Sequence, residues 1–259
     1  MNKWTGFLFL ALLAGQAVAI KPGESAPDPK NAQGYAIYGS SPARPNNPTY
    51  EGGPKLWTFG LAVDQQRRSV VYEDAEETVK DWTVLHLLMF LDYDLLPWLS
   101  LHGQWGACEL DEDSEIEYDY HVEWGVGVRG RILDYKLPTE DPYWFRVEST
   151  VDYKDLQSDA DEITVEWHEF VVAMTAGLTT KPKLDYESDV HAVGLYVGPA
   201  YSRIEGTDDQ GSTKTDFEED QNLGVVAGLA IDFSDYMFMK VEGQFFDRSS
   251  VNGCVGIHF

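Results

Sequence analysis

The feature that most constrains this chain is an alternation of apolar and polar side chains that recurs from Leu56 to the C-terminus. In the first segment, every second residue from Trp57 to Val63 is apolar, and the residues between them are small or polar. A period of two places successive side chains on opposite faces of a β-strand. About ten such segments follow one another, so the sequence predicts an all-β fold of about ten strands, with 8–12 possible.

One segment departs from this regularity. Between Thr164 and Leu178, Val165 and Trp167 are out of phase with the apolar residues that begin at Phe170. If all of these side chains share one face, an extra residue must be inserted into the strand. The sequence therefore predicts a β-bulge near His168 and Glu169.

The connections between segments alternate in length. Those after the first, third, fifth and seventh segments are long, and they include 64–82 and 109–121. Those after the second and eighth segments are short, at 94–97 and 234–236. Long loops at one rim and short turns at the other are typical of antiparallel barrels that span an outer membrane.

The balance of charge limits the partners of the chain. Its 44 Asp and Glu residues against 19 Lys and Arg residues give a net charge of −25. Because phosphates repel such a chain, the sequence argues against nucleic acid as a partner. After the N-terminus, no apolar run reaches the ~18 residues that a spanning helix needs, whereas alternating membrane strands average to a mild hydropathy.

The N-terminus has the pattern of an export signal. Lys3 precedes a short apolar run, and Ala17-Val18-Ala19 fits the small-x-small cleavage pattern, so residues 1–19 are predicted to be a signal peptide cleaved after Ala19. Residues 20–54 contain seven prolines and are predicted to be a flexible periplasmic leader. Residues 55–259 form the strand-rich domain.

This domain contains two cysteines, Cys108 and Cys254. They fall on predicted strands that are not adjacent, and we therefore expect free thiols.

Two readings of the alternation are a soluble β-sandwich and a closed membrane barrel, and three features favour the barrel. The polar faces combine charged residues with many glycines, which suits a narrow interior. The chain ends within a strand, and a free strand end is exposed unless it pairs with the first strand. Aromatic residues cluster at segment ends, where they would form two girdles: Trp57, Tyr93, Trp98, Trp105, Trp124, Tyr143, Trp144, Trp167, Tyr201, Tyr236 and Phe259.

Several segments resemble the small bacterial outer-membrane β-barrel proteins of the OmpA-type, porin-like group. The run from Tyr93 to Gly103, YDLLPWLSLHG, is similar to their strand–turn–strand repeat. The C-terminal Val255-Gly-Ile-His-Phe259 resembles the signal that the barrel-assembly machinery recognises, with Ile257 and Phe259 at its apolar and aromatic positions. The resemblance covers about residues 56–259. It implies a closed up-and-down barrel in the cell outer membrane, in contact with lipid, and it implies little about activity.

Charged residues on the predicted inward faces are candidates for a functional site. A barrel of ~8 strands encloses only side chains, and aqueous channels begin at ~16 strands, so a ten-stranded barrel is expected to be filled. Unpaired charge in a narrow interior is costly, and pairing is therefore expected. The predicted interior charge network consists of Arg129, Arg131, Arg146, Glu148, Asp152, Glu166, Lys240 and Glu242.

These features favour a non-catalytic envelope protein with acidic external loops in a structural or surface-contact role. One alternative is a narrow cation-preferring pore. A second is a hydrolase at the barrel rim, with His121 beside Asp119 as the candidate pair. No cofactor is predicted, and no metal ligand set is complete, because the loop that begins at Asp111 lacks the glycine and the closing glutamate of a calcium loop. We also expect that divalent cations bridge the acidic loops to anionic lipid headgroups.

Overall fold

The computed structural model describes residues 57–73, 79–96, 98–112, 119–139, 143–160, 163–180, 190, 192–211, 213–233 and 237–259. The predicted signal peptide, residues 1–19, and the predicted leader, residues 20–54, lie outside the described residues. Within the described ranges the chain forms strands, and it contains no helix that is long and apolar enough to cross a membrane.

Eleven strands follow one another along the described part of the chain. They are β1 (Trp57–Tyr72), β2 (Val79–Leu96), β3 (Leu99–Glu112), β4 (His121–Lys136), β5 (Tyr143–Ala160), β6 (Ile163–Thr180), β7 (Ala192–Asp209), β8 (Lys214–Glu219), β9 (Leu223–Asp232), β10 (Met237–Phe245) and β11 (Ser249–His258).

Ten of these strands close into an antiparallel up-and-down barrel. Each pairs with the next along the chain, except that β7 pairs with β9 across the short strand β8. The barrel closes where β11 pairs with β1, from Thr58 opposite His258 to Gln65 opposite Val251. The predicted fold class is confirmed, with β8 as an additional strand.

The apolar face of the strands points outward. Leu101, Val126 and Val241 are 42%, 52% and 42% exposed, whereas a sandwich would bury these side chains between two sheets. The outward apolar residues form a continuous belt, which we call the apolar band. Such a surface is stable only against lipid.

Aromatic side chains flank the apolar band, as predicted, but two of the predicted girdle residues do not. Trp57 packs on Tyr93 with ring centroids 4.5 Å apart at the rim where β1 begins and β11 ends, which we call the lower rim. Trp144 and Trp167 point inward instead and are 4% and 2% exposed. Tyr236 lies outside the described residues.

The predicted β-bulge in β6 is wrong. Strands β5 and β6 pair without interruption from Tyr143 opposite Thr180 to Ala160 opposite Ile163. The register shifts elsewhere, between Asp94 and Leu96 and between Arg131 and Leu133. Val165 and Trp167 are out of phase with the outward residues because they point into the barrel, where they are buried.

The predicted long loops are largely strand. Strand β1 continues to Tyr72 and β2 begins at Val79, and only two residues separate Ala160 from Ile163. Above the apolar band the alternation is inverted, so that polar residues face outward and apolar residues face inward. The outward apolar residues that predict a membrane strand therefore end at the edge of the band, although the strands continue beyond it.

The barrel narrows at its upper rim, because β9, β10 and β11 are short and the other strands continue. Strand β8 fills the place of these three strands by pairing with β7 on one side and with Val70–Tyr72 of β1 on the other. The upper end is thus an eight-stranded cap, formed by β1–β8, on a ten-stranded barrel.

The cap has an apolar core. The Trp82 ring lies 4.6 Å from the Phe217 ring and 5.6 Å from the Trp167 ring, measured between centroids. These aromatic rings fill the width of an eight-stranded barrel, which has room only for side chains. We call the whole set the cap core: Val70, Tyr72, Trp82, Val84, Cys108, Leu110, Leu156, Ala160, Val165, Trp167, Ile204 and Phe217.

Candidate functional site in the barrel lumen

The lumen below the cap is lined by charged side chains, and the period of two explains how they reach it. On β5, the inward positions hold Arg146, Glu148 and Asp152, while the residues between them face lipid. Arg146 and Glu148 are 1% and 3% exposed. Because charge buried this deeply is costly without a partner, the pairing of these groups determines whether the lumen is stable.

Near the lower rim, two arginines share two carboxylates. Nη2 of Arg146 lies 3.0 Å from Oδ2 of Asp134, and its Nη1 lies 3.8 Å from Oε1 of Glu148. Nε of Arg131 lies 3.6 Å from the same Glu148 oxygen. Arg131, Arg146 and Glu148, which were all predicted to be interior, therefore form one cluster.

At mid-height, the predicted Arg129, Lys240 and Glu242 are each paired. Nη1 of Arg129 lies 3.6 Å from Oδ2 of Asp92, and Nζ of Lys240 lies 2.8 Å from Oε2 of Glu242. The Tyr196 hydroxyl donates to the same Glu242 oxygen at 2.6 Å. The Tyr196 ring passes directly over Gly228, where a Cβ would lie 2.2 Å from the hydroxyl oxygen, so a larger residue at this position would displace Tyr196 from Glu242.

Glu169 is the centre of the upper part of the network. Its carboxylate lies 2.8 Å from Nζ of Lys154, accepts a hydrogen bond of 2.6 Å from Gln66, and lies 3.9 Å from Nη2 of Arg68. Glu166 was predicted to lie in this network, and that prediction is wrong. It faces outward and is exposed, because it is three residues from Glu169 and so occupies the opposite face of β6.

His86 links Glu169 to β4. Its Nδ1 lies 2.7 Å from Oε2 of Glu123, and its Nε2 lies 3.1 Å from Oε1 of Gln66. Since the Gln66 amide nitrogen donates to Glu169, its oxygen must accept from His86. Both ring nitrogens of His86 are therefore engaged, Nδ1 with Glu123 and Nε2 with Gln66.

A cavity of about 120 Å³ lies at mid-height. Strands on opposite sides of the barrel line it, with Ala62 and Asp64 on β1 and Lys154 on β5. His102 and Asp152 also line it and form a hydrogen-bonded pair. The cavity is closed above by the cap core and has room for several water molecules.

Several residues of the network were not predicted from the sequence, and five of them show why, since all five lie on inward faces. Arg68 and Glu219 lie above the apolar band, where the strand was taken for loop. The remaining three, Asp92, Lys154 and Glu169, continue the inward alternation of segments that had been recognised. Extending the period of two to every charged residue of each strand would have found them.

Glu219 lies outside the membrane-spanning part of the barrel, because the outward residues of β8, namely Lys214, Asp216 and Glu218, are charged and exposed. Its side chain points inward, with Oε1 at 3.1 Å from Nε of Arg68. Burial raises the pKa of Glu219 to about 7, although the positive charge of Arg68 opposes this shift.

The upper rim holds the residues considered for catalysis. Nδ1 of His121 lies 3.2 Å from Oδ2 of Asp159, and both side chains are about one-third exposed. Asp119 pairs with Asp159 through its backbone. His168, by contrast, faces outward and accepts or donates a hydrogen bond of 3.1 Å with the Tyr153 hydroxyl.

The two cysteines are free in the structure. Among the residues that the structure describes, no group of three or more His, Cys, Asp or Glu side chains could hold a metal ion. The acidic stretch 113–118 lies outside the described residues.

Ile257 and Phe259, the predicted assembly signal, lie on the outer face of the barrel and are 49% and 56% exposed. The backbone of Phe259 exchanges hydrogen bonds of 2.9 and 3.3 Å with Trp57. The last residue of the chain is therefore part of the junction that closes the barrel.

The closed ten-stranded barrel, its apolar band and its inward charges together define the class: this chain is an integral outer-membrane β-barrel protein, embedded in lipid. No family model and no curated protein matches the chain. The barrel is therefore defined here by its own strand pairing and outer surface.

Solved structures that align with the chain are barrels at low identity. An outer membrane channel from Pseudomonas putida F1 is 12% identical over 82% of this chain and 98% of that chain, with a TM-score of 0.36. The outer membrane protease OmpT from Escherichia coli is 11% identical over 81% and 96%, with a TM-score of 0.37. The transport unit of the autotransporter AIDA-I from Escherichia coli is 9% identical over 83% and 94%, with a TM-score of 0.41. Likenesses at this level carry no argument about the role of this chain.

Proposed function

We propose that this protein is a closed, non-conducting and non-catalytic barrel that contributes to the structure of the envelope. It makes contacts outside the cell through the outer surface of the cap, which includes Asp216 and Glu218 and which we call the acidic cap surface. The observation that carries the proposal is the cap core, whose largest side chains include Trp82 and Trp167 at 2% exposure each. An apolar plug across an eight-stranded section excludes water and ions. The paired charges below it supply no continuous aqueous path.

Planar-bilayer recording of the folded protein tests the closed state. We expect no conductance steps under conditions in which a 16-stranded porin, as a control, inserts and conducts. Folding is checked on the same protein preparation, because a folded barrel migrates differently on a gel before and after boiling. Reproducible steps of uniform size would overturn the proposal in favour of the narrow cation-preferring pore.

The rim hydrolase is a weaker candidate, supported by the pairing of His121 with Asp159. A His–Asp pair can act as a base on water or on a nucleophile. Against it, Ser158, the hydroxyl residue beside Asp159, is fully buried, and so is Cys108. If purified protein cleaves peptides or lipids and His121→Ala abolishes that cleavage, the non-catalytic role is wrong.

The orientation and export of the chain are part of this proposal. We infer that the lower rim, where β1 begins and β11 ends, faces the periplasm, that residues 1–19 are removed after Ala19, and that residues 20–54 stay periplasmic. N-terminal sequencing of the mature protein should begin at Ile20. Protease added to intact cells should leave residues 20–54 uncut, and cleavage within them would reverse the orientation.

We also propose that the barrel-assembly machinery recognises Ile257 and Phe259. Phe259→Ala should lower the fraction of heat-modifiable, folded protein in the outer membrane, while Val251→Ala on the same face of β11 should not.

Divalent cations are proposed to bridge the acidic cap surface to anionic headgroups, since Asp216 and Glu218 project from it. Equal retention in membranes washed with and without a chelator would argue against such bridges.

A further inference from the structure

One acidic side chain that lines the lumen cavity has no hydrogen-bond or ion-pair partner among the described residues. Asp64 is 6% exposed and lies on the cavity wall. Within the described residues it makes no hydrogen bond and no ion pair. The other carboxylates of the wall are all paired, for example Asp92 with Arg129 and Glu242 with Lys240. A carboxylate in a buried cavity requires a proton, water or a cation.

The cationic side chains near Asp64 are held by other carboxylates. His86 lies opposite Asp64 on β2, but both of its ring nitrogens contact Glu123 and Gln66. Lys154 is held by Glu169 at 2.8 Å. Arg68 lies 3.1 Å from Glu219. None of these groups can turn to Asp64 without giving up a shorter contact.

Each basic side chain in this part of the lumen has its own carboxyl partner, since Arg68 contacts Glu219, His86 contacts Glu123 and Lys154 contacts Glu169. The same is true in the other half of the cavity, where Arg129, His102 and Lys240 contact Asp92, Asp152 and Glu242. Among the described residues of the cavity wall, Asp64 is therefore the carboxyl group that no basic side chain contacts.

The surroundings of Asp64 suit a small monovalent cation. A single unpaired carboxylate supplies one negative charge, and a divalent ion would leave an excess of positive charge. Asn252 lies directly opposite Asp64 on β11 and also lines the cavity, so its amide oxygen is a second hard donor. The cavity of about 120 Å³ has room for the water molecules that would complete the coordination.

We propose that the cavity beside Asp64 binds one monovalent cation of the size of Na⁺ or K⁺, held by the carboxylate of Asp64, the amide oxygen of Asn252 and water. The ion neutralises the lumen beneath the cap and thereby stabilises the folded barrel. The site does not depend on whether the barrel conducts, because the ion is resident.

The first experiment measures the unfolding temperature of the folded barrel in detergent while KCl replaces N-methyl-D-glucamine chloride at constant ionic strength. Because this organic cation is too large for the cavity, a cation site gives a saturable rise of a few degrees with K⁺. Asp64→Asn should abolish the rise. Asp152→Asn, which changes a paired carboxylate of the same cavity, should retain it.

Equal unfolding temperatures in the two salts would overturn the proposal, because Asp64 would then hold a proton or water only. A loss of the K⁺ effect in both variants would also overturn it, because the effect would not be localised at Asp64. The second experiment needs no variant: a crystal of the unaltered protein soaked in RbCl should show anomalous density between Asp64 and Asn252, and absence of that density would refute the site.

Discussion

Glu166 and Glu169 lie three positions apart on one strand, and their environments are opposite. Glu169 contacts three partners in the lumen, while Glu166 faces outward. The same carboxylate chemistry therefore has different consequences, depending only on whether its position is odd or even along β6. Because a buried charge cannot be replaced by solvent, the inward residue should dominate stability.

Glu169→Gln should lower the free energy of unfolding by about 3–5 kcal/mol, because Lys154 and Arg68 lose their shared carboxylate. Glu166→Gln, the matched control on the outer face, should change it by less than about 0.5 kcal/mol. Urea unfolding in lipid vesicles, followed by tryptophan fluorescence, measures both. Similar losses for the two variants would contradict the assignment of faces.

Glu219 makes stability depend on pH. Its pKa is about 7 in the folded protein and 4.5 as the reference value, so between these values the folded state keeps a proton that the unfolded state releases. The contribution of Glu219 to stability is therefore full below pH 4.5 and is lost as pH rises to about 7. The difference in unfolding free energy between the native chain and Glu219→Gln should follow this window. A difference that is constant from acid to neutral pH would show that Glu219 ionises normally.

Among the elements, β8 and the short strand β11 both pair with β1, and residues 66–69 of β1 form a junction between the two ladders, where the Asp220 backbone N–H donates to the Ser69 carbonyl at 3.0 Å. Pairing of β1 with β11 ends at Gln65, and pairing with β8 starts at Val70. Side chains supply further hydrogen bonds: the Ser250 hydroxyl accepts from the Arg67 backbone at 3.0 Å, and Asp247 accepts from the Ser69 backbone at 2.5 Å. Because this junction lies outside both ladders, we expect it to open more readily than the paired wall on either side.

Ser250→Ala should speed hydrogen exchange at the Arg67 amide by about fivefold, because a hydrogen bond contributes about 1 kcal/mol and its loss opens the junction. Ser249→Ala alters the exposed neighbouring residue and should leave that amide protected. Exchange followed by mass spectrometry resolves this segment. Unchanged protection in Ser250→Ala would mean that other contacts, such as those of Asp247 and Asp220 with Ser69, hold the junction.

The cap core makes the upper end depend on β8. Phe217 is the residue of β8 that packs on Tyr72 and Trp82, with centroid distances of 5.4 and 4.6 Å. Phe217→Ala should cost about 3–5 kcal/mol through the cavity that it leaves. Phe245→Ala, on the exposed outer face, is the control and should cost clearly less in the same urea titration.

Within the apolar band, the barrel has apolar side chains on its outer surface and polar side chains in its interior, which is the reverse of a soluble protein. Leu61 lies midway along the band on β1, and Gln65 lies at its edge. Leu61→Arg should therefore cost about 2–4 kcal/mol in a bilayer, and Gln65→Arg only about 0–1 kcal/mol. Urea titrations in vesicles compare them directly. Equal costs at the two positions would place the band elsewhere.

Above the band, the polarity returns to that of a soluble protein, with an apolar core and a charged surface. This change explains which expectations failed. Outward apolar residues predict the ten membrane strands, but they are absent from the strand extensions, which were therefore predicted to be loops. Val165 and Trp167 were predicted to be outward residues displaced by a bulge, although they are buried and lie at regular inward positions.

The sequence by itself determined the strand class, the number of membrane strands, their lipid-facing residues and the inward position of Arg129, Arg146 and Lys240. All of these follow from the period of two, which relates each residue to its neighbours in the chain. Pairings such as Arg68 with Glu219, the eight-stranded cap and the unpartnered Asp64 came only from the closed barrel. They depend on which residues of distant strands meet at one height, and that is set by the register and closure of the sheet and by the lengths of β8–β11.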